Sequence, residues 1–211
     1  AGGLEERERT RSAQEVVKRA VDGFSIYGLG TGESKQEREA ILLTVLDILP
    51  QDKPRILHGS GSPEDVLASV ALGIDLIESG YPTTLTYQNT AIVYPVSYAH
   101  VMSDGEGGES GRPDAAHRTA EVCGKLNLRD IALCKDKSPI LQGCACFSCK
   151  KHSRAYIHHL INTHEMLGDV LLHIHNQHHY ALFFAAIRES INSGTLDTFT
   201  QKFLAKRRHH R

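Results

Sequence analysis

The chain has 211 residues, 40% of them hydrophobic and 23% charged, the profile of an ordinary globular protein with one large domain or two small ones. No apolar run approaches the length of a membrane span and the N-terminus is charged rather than signal-like, which argues against an integral membrane protein and predicts a location inside the cell. The net charge of -1 hides an asymmetry: residues 1–143 carry 15 Lys/Arg against 21 Asp/Glu, whereas residues 144–211 carry 9 against 4, a basic surface suited to phosphate.

In chain order, "LEERERTRSAQEVVKRA" (4–20) is a charged helix. Three short apolar runs follow, each ending near Gly or a small polar residue: "GFSIYG" (23–28), "PRILHG" (54–59) and "IDLIES" (74–79). Helical patterns lie between them. In "SKQEREAILLTVLDIL" (34–49), Leu42, Val45, Leu46 and Leu49 fall on one face of a 3.6-residue period. In "SPEDVLASVALG" (62–73), Ser62 is the N-cap, Pro63 the first helical residue and Gly73 the stop. Short strands alternating with helices predict βαβ units and a parallel sheet, hence an α/β fold.

The pattern fails over 101–118, where "VMSDGEGGESGRPDAAH" predicts a flexible loop. Residues 154–193 then read as helical. Leu167, Val170, Leu171, Ile174, His178, Ala181, Leu182 and Ala185 form an apolar stripe expected to face the core. Gly194 ends that helix, and 196–206 forms a last short one. A second face carries His179, Tyr180, Phe183, Phe184 and Ile187. Adjacent Phe183 and Phe184 point about 100° apart, so one core-facing stripe does not hide both, and Tyr180, Phe183 and Phe184 are expected to line a dimer interface.

The chemistry concentrates in "GCACFSCKKHSRAYIHH" (143–159) and "HIHNQHHY" (173–180). Five Cys is an odd number, and three of them sit within six residues, which fits reduced thiolates gathered for a metal better than a disulfide framework. Cys144, Cys146 and Cys149 offer three soft ligands and favour tetrahedral zinc with one corner open. His152, His164, His173, His175, His178 and His179 are candidates for that corner, with His175 and His178 foremost because they lie on or beside the stripe. Four protein ligands make a closed site, and closed Cys3His sites are structural. "GLGTGE" (28–33) lacks the third Gly of a dinucleotide fingerprint, Glu33 standing in its place, and no Walker Lys-Ser/Thr follows. A strand-to-helix turn needing Gly for its dihedrals accounts for it.

These motifs resemble one family across nearly the whole chain outside the 101–118 loop. "CACFSCKKHSRAYIHHLI", "EMLGDVLL" and the pair His175–Asn176 are similar to the zinc subdomain of the tRNA-guanine transglycosylases, and "GLGTGE" and "DKPRILHGSGSPEDVLASVALGIDLIES" match the same family. The resemblance implies a TIM (β/α)8 barrel with a zinc-binding insertion, of which this chain holds the C-terminal part. On that view 1–100 is the second half of the barrel, and 119–211 is the zinc-binding subdomain with the C-terminal helices. A sheet opened in this way presents edges that invite pairing with another chain. It implies one structural Zn2+ on Cys144, Cys146, Cys149 and His175, and a loop that shows Gly28 and Leu29 to a bound base.

It also implies exchange of guanine for queuine at the wobble position of tRNAs with GUN anticodons. Two departures point to the family's non-catalytic accessory branch in eukaryotes. Glu78 stands at the position of the nucleophilic Asp, and the added methylene shifts the carboxylate by about an ångström, enough to cost roughly a hundredfold in rate. "PTTLTYQN" (82–89) contains none of the arginines that grip tRNA in the family. The implied partners are a catalytic subunit in a heterodimer, a second copy in a homodimer when alone, and tRNA. Lys150, Lys151, Arg154, Lys206, Arg207 and Arg208 are expected on the phosphates. The implied location is the cytoplasm, with peripheral association at the mitochondrial outer membrane. The competing expectations are an active transglycosylase with Glu78 as nucleophile and a zinc-dependent hydrolase, the latter at odds with a thiolate-rich, closed metal.

Overall fold

The computed structural model describes residues 2–59, 61–103, 121–122 and 124–209. The chain divides into two compact units, Ala1–Tyr81 and Pro82–Arg211. Among the described residues no helix is long and apolar enough to cross a membrane.

The first unit alternates helix and strand: α1 (Glu6–Val17), β1 (Phe24–Ile26), α2 (Lys35–Leu46), β2 (Arg55–His58), α3 (Pro63–Ala71) and β3 (Leu76–Glu78). The three strands pair in parallel in the order β1-β2-β3, with Ile26 opposite Leu57 and His58 opposite Glu78. Capping follows the sequence. Ser34 and Glu37 close a reciprocal capping box on α2, Ser62 caps α3 ahead of Pro63, and Gly73 takes φ +95 after the last turn. Alternation along the strands sorts the residues. Phe24, Ile26 and Leu57 pack with Ala13 of α1 and with Ile41, Leu42, Val45 and Leu46 of α2, while Ser25, Leu76 and Glu78 stay exposed on the opposite face.

The second unit contains α4 (Tyr81–Tyr87), β4 (Thr90–Ile92), α5 (Tyr98–Met102), β5 (Glu121–Val122), β6 (Lys125–Asn127) and a 3-10 turn at Ile131–Leu133. The helices α6 (Phe147–Lys151), α7 (Arg154–Asn162), α8 (Met166–Asn192) and α9 (Leu196–His209) follow. Its antiparallel sheet runs β4-β6-β5, so β4 is an edge strand. Ala91, Leu126, Leu128, Ile140, Ile157 and Leu172 form the core beneath it. A second, aromatic cluster joins Tyr94, Phe183 and Phe203, with ring centroids 5.4 Å apart for Tyr94–Phe203 and 5.1 Å for Phe183–Phe203.

The structure refines the sequence reading at several places. The helical stretch read over 154–193 is two helices, separated where His164 takes φ 58; Gly168 then lets α8 lie against α7, since a Cβ there would come within 3.1 Å of Ile161. The division into units falls between Tyr81 and Pro82, and β4 pairs with β6 within the second unit. The loop expected over 101–118 falls mostly outside the described residues, but Val101 is fully buried within α5 and Met102 closes that helix.

The stripe on α8 is the larger correction. Of its members Leu171 is buried as expected, but Leu167, Val170, Ile174 and Leu182 are 45%, 46%, 37% and 42% exposed, whereas His175, Asn176, His179, Tyr180 and Phe183 are buried. Of the expected interface trio, Phe183 is wholly buried and Tyr180 nearly so, and Phe184 is half-buried with its ring 5.1 Å from that of Tyr180. The buried face mixes Leu171, Leu172, Phe183 and Ile187 with His175, Asn176 and His179, whose polar atoms find partners in the backbone of β4, in the cysteine loop and at Tyr94. Apolarity alone does not decide orientation where buried polar groups are satisfied.

Candidate metal centre

Cys146 begins α6 as its N-cap, its sulfur accepting from the Cys149 backbone N–H at 3.3 Å, and this tight turn aims the cysteine side chains at one point. His175 reaches that point from α8. Its Nδ1 lies 3.8 Å from Cys144 Sγ, 3.6 Å from Cys146 Sγ and 3.3 Å from Cys149 Sγ. A tetrahedral ion with bonds of about 2.3 Å to sulfur and about 2.0–2.1 Å to nitrogen sets an N···S edge of about 3.6 Å. All four ligand atoms lie within 4.8 Å of one another, so the cluster is of a size and chemistry able to hold a metal ion.

The surroundings fix the ligand tautomer. His175 Nε2–H donates to the Ile92 carbonyl at 2.9 Å, leaving the Nδ1 lone pair for the metal. Its neighbour Asn176 accepts from the Ile92 N–H at 2.9 Å, and donates to the Thr90 carbonyl at 3.0 Å and to Thr86 Oγ1 at 3.2 Å. Two adjacent residues of α8 thus satisfy the outer edge of β4. Ser148 of α6 donates to the Leu171 carbonyl at 2.6 Å, tying the cysteine loop to the same helix.

Protons compete for these ligands. The hydrogen bond between Cys144 and Cys149 lowers the former thiol and raises the latter; thiolate is the ligand form, so metal binding here is tied to the loss of protons. Burial would lower His175, but its bonds to Cys144 and Cys146 outweigh that and raise it to about 9. Burial, then the proximity of His175, holds His179 down at about 4, and its Nε2 meets the Tyr94 carbonyl at 2.6 Å. His178, the sequence rival for the fourth corner, lies outside the cluster. The partners that sequence reasoning missed are the backbone of β4 and the anchoring role of Asn176; the adjacent His-Asn pair was their only trace.

The other expected contact residues separate. Arg154 is buried, donating to the Ile140 carbonyl at 2.8 Å and to Asp136 at 3.2 Å. Lys206 binds the Ser103 carbonyl at 3.1 Å beyond α5, and Arg207 lies buried with its guanidinium 5.3 Å from the Tyr94 ring centroid. Lys150 and Lys151 are exposed, and the side chain of Arg208 lies outside the described residues.

In the first unit, Leu29 is buried in the core, and the Gly28 carbonyl accepts from Arg9 at 3.0 Å. Glu33 folds back on its own loop, its carboxylate accepting from Gly30 N–H, from Thr31 N–H at 2.9 Å and from Arg38 Nε at 2.7 Å. Burial alone would raise its carboxyl; the Gly30 N–H and Arg38 outweigh that and hold it at about 2. The glycine-rich loop therefore spends these amides on its own carboxylate rather than presenting them to a phosphate. Glu78 is exposed at the end of β3, its carboxylate paired with His58 Nδ1.

The model of the family described as queuine tRNA-ribosyltransferase matches residues 1–209. Queuine tRNA-ribosyltransferase accessory subunit 2 of Xenopus tropicalis is 37% identical over 95% of this chain and 52% of that protein. The same-named protein of Danio rerio is 36% identical over 98% of the chain and 53% of its own length. The queuine tRNA-ribosyltransferase of Thermus thermophilus is 33% identical over 98% of the chain and 46% of that protein. The chain thus spans about half the length of these curated relatives. With the glycine loop, the β3 carboxylate and the Cys3His cluster in one chain, it belongs to the queuine tRNA-ribosyltransferase family.

Proposed function

We propose that this chain is part of a non-catalytic accessory subunit of a queuine tRNA-ribosyltransferase complex. Such a complex exchanges guanine for queuine at the wobble position of tRNAs with GUN anticodons. The metal centre carries the structural part of the reading. Three thiolates and an imidazole held by the Ile92 carbonyl suit structural zinc, and they leave no vacant position for chemistry on the metal. Identity to proteins named accessory subunit 2 supports the non-catalytic role, as do Glu78 at the family's nucleophile position and the absence of Arg from 82–89. The three parallel strands, helix-covered on one face, suit the wall of an eight-stranded barrel.

The exposed face of α8, with Leu167, Val170, Ile174 and Leu182, suits the docking of a catalytic subunit or a second copy. Exposed Lys150 and Lys151 suit tRNA phosphate. A cytoplasmic location, with peripheral association at the mitochondrial outer membrane, belongs to the same reading.

The test is guanine exchange into a cognate tRNA, together with metal analysis. The chain alone exchanges no guanine, binds one equivalent of zinc, and forms a mixed species with a catalytic relative in a native mass measurement. Turnover by the chain alone that disappears in Glu78→Gln refutes the accessory role and establishes Glu78 as a nucleophile. Less than half an equivalent of zinc refutes the structural site.

A further inference from the structure

The three cysteines of the metal centre differ in their surroundings, and the whole cluster belongs to the second unit. Cys146 is 4% exposed, and its sulfur accepts from the Cys149 N–H at 3.3 Å. Cys144 and Cys149 are half-buried and hydrogen-bonded to each other. All ligand atoms lie within 4.8 Å of one another, so these two sulfurs are at most about 3 Å beyond disulfide bonding distance. The chain ahead of Cys144 yields to close that gap. Gln142 and Gly143 are exposed, and a Cβ built on Gly143 meets nothing within 4 Å.

The rest of the unit has supports that need no metal. Ala91, Leu126, Leu128, Ile140, Ile157 and Leu172 form a core to which Cys149 alone of the three adds a side chain at the margin. The bonds from His175 Nε2 to the Ile92 carbonyl and from Asn176 to Ile92 and Thr90 use atoms that bind no ion. By contrast, α6 is held to α8 by the cluster itself and by the bond from Ser148 to the Leu171 carbonyl.

We propose that Cys144 and Cys149 form a thiol-disulfide switch that a hydroperoxide closes, releasing the metal and freeing α6 from α8. Oxidation selects thiolates that solvent reaches, which favours this pair and spares buried Cys146. Cys144 Sγ, as thiolate, attacks one oxygen of hydrogen peroxide; the O–O bond breaks, a sulfenic acid forms, and the departing hydroxide takes a proton to become water. Cys149 thiolate then bonds to Cys144 Sγ, the S–O bond breaks, and the second hydroxide takes a proton in turn. Both sulfurs are oxidised, both peroxide oxygens are reduced, and a dithiol reverses the bond. Cys146 and His175 remain, two ligands where a tetrahedral ion needs four. Because α6 carries exposed Phe147, Lys150 and Lys151, the switch alters that surface.

The test treats the zinc-loaded chain with hydrogen peroxide and follows zinc with a chromogenic chelator, thiols by peptide mapping without reduction, and backbone opening by hydrogen exchange. One equivalent of zinc is expected to leave for each Cys144–Cys149 cross-link, and dithiothreitol with zinc restores the starting state. Exchange over 143–151 rises at least about tenfold, while 171–183 keeps its protection and helicity is retained. Cys134→Ser, at an exposed cysteine outside the cluster, releases zinc at the parent's rate. Zinc and cluster thiols retained under peroxide that oxidises Cys134 overturn the proposal. So does a different cross-link, or an oxidation that dithiothreitol does not reverse. Loss of helicity along with zinc overturns it too, since the metal then holds the whole unit rather than α6. The proposal rests on the cluster holding a metal and not on the accessory role; zinc content before peroxide tests the site, and only the response to peroxide tests the switch.

Discussion

Replacing Asn176 by Ala tests whether the edge of β4 is held by α8. Asn176, Ile92 and Thr86 are buried, and the amide makes three bonds, from Ile92 N–H and to Thr90 O and Thr86 Oγ1. Alanine leaves the Ile92 N–H with no partner in a site closed to water, a penalty of about 1–3 kcal/mol for one buried group. The Thr90 carbonyl and the void left by the amide bring the expected loss to about 2–5 kcal/mol. At about 2–4 °C per kcal/mol for a chain of this size, the midpoint falls by roughly 4–20 °C. The assay is thermal unfolding of the cobalt-loaded protein, followed through thiolate-to-cobalt absorption, which reports Pro82–Arg211 rather than Ala1–Tyr81. Because Ile92 also holds His175 Nε2, metal affinity is expected to drop about 10–100-fold. Gln177→Ala, at the exposed neighbour, stays within about 0.5 kcal/mol of the parent. An Asn176→Ala loss below about 1 kcal/mol with unchanged metal affinity refutes the reasoning.

Glu33 gives the first unit a pH dependence of known sign. Its folded carboxyl, at about 2, lies below the ordinary 4.5, so its stabilisation is complete above about pH 4.5 and is lost as pH falls toward 2. Glu33→Gln removes that slope, and parallel melting curves for the two proteins from pH 2 to 6 contradict the assignment. Ile174→Asp, on the exposed face of α8, weakens self-association with metal content and helicity intact, whereas Phe183→Asp unfolds the second unit; unchanged sedimentation of Ile174→Asp places the interface elsewhere. Arg154→Met removes the ion pair to half-buried Asp136, which keeps its Ser138 bonds, and lowers stability by about 1–3 kcal/mol in urea titration, while Lys150→Ala and Lys151→Ala leave stability alone and each flatten the salt dependence of tRNA affinity by just under one unit.

The sequence by itself determined what depends on local periodicity and ligand chemistry. The strands at 24–26, 55–58 and 76–78 and the caps Ser62 and Gly73 were legible because short-range sterics and backbone hydrogen bonding act within a few residues. The triplet Cys144, Cys146 and Cys149 was legible because three thiols so close have few other uses. The tertiary structure decided which way α8 faces. Most of its apolar stripe is exposed although Leu171 is buried, because His175, Asn176 and His179 find partners in the cysteine loop, in β4 and at Tyr94, residues 26 to 85 positions away in sequence. It also decided which cations are free, committing Arg154 and Arg207 to the interior and leaving Lys150 and Lys151 outside. Finally it brought Ser25 and His58 to Glu78, the one of the three that the sequence had singled out, through the register of parallel strands. Strand register is fixed by which face must be buried, and that is a property of the packed molecule rather than of any one segment.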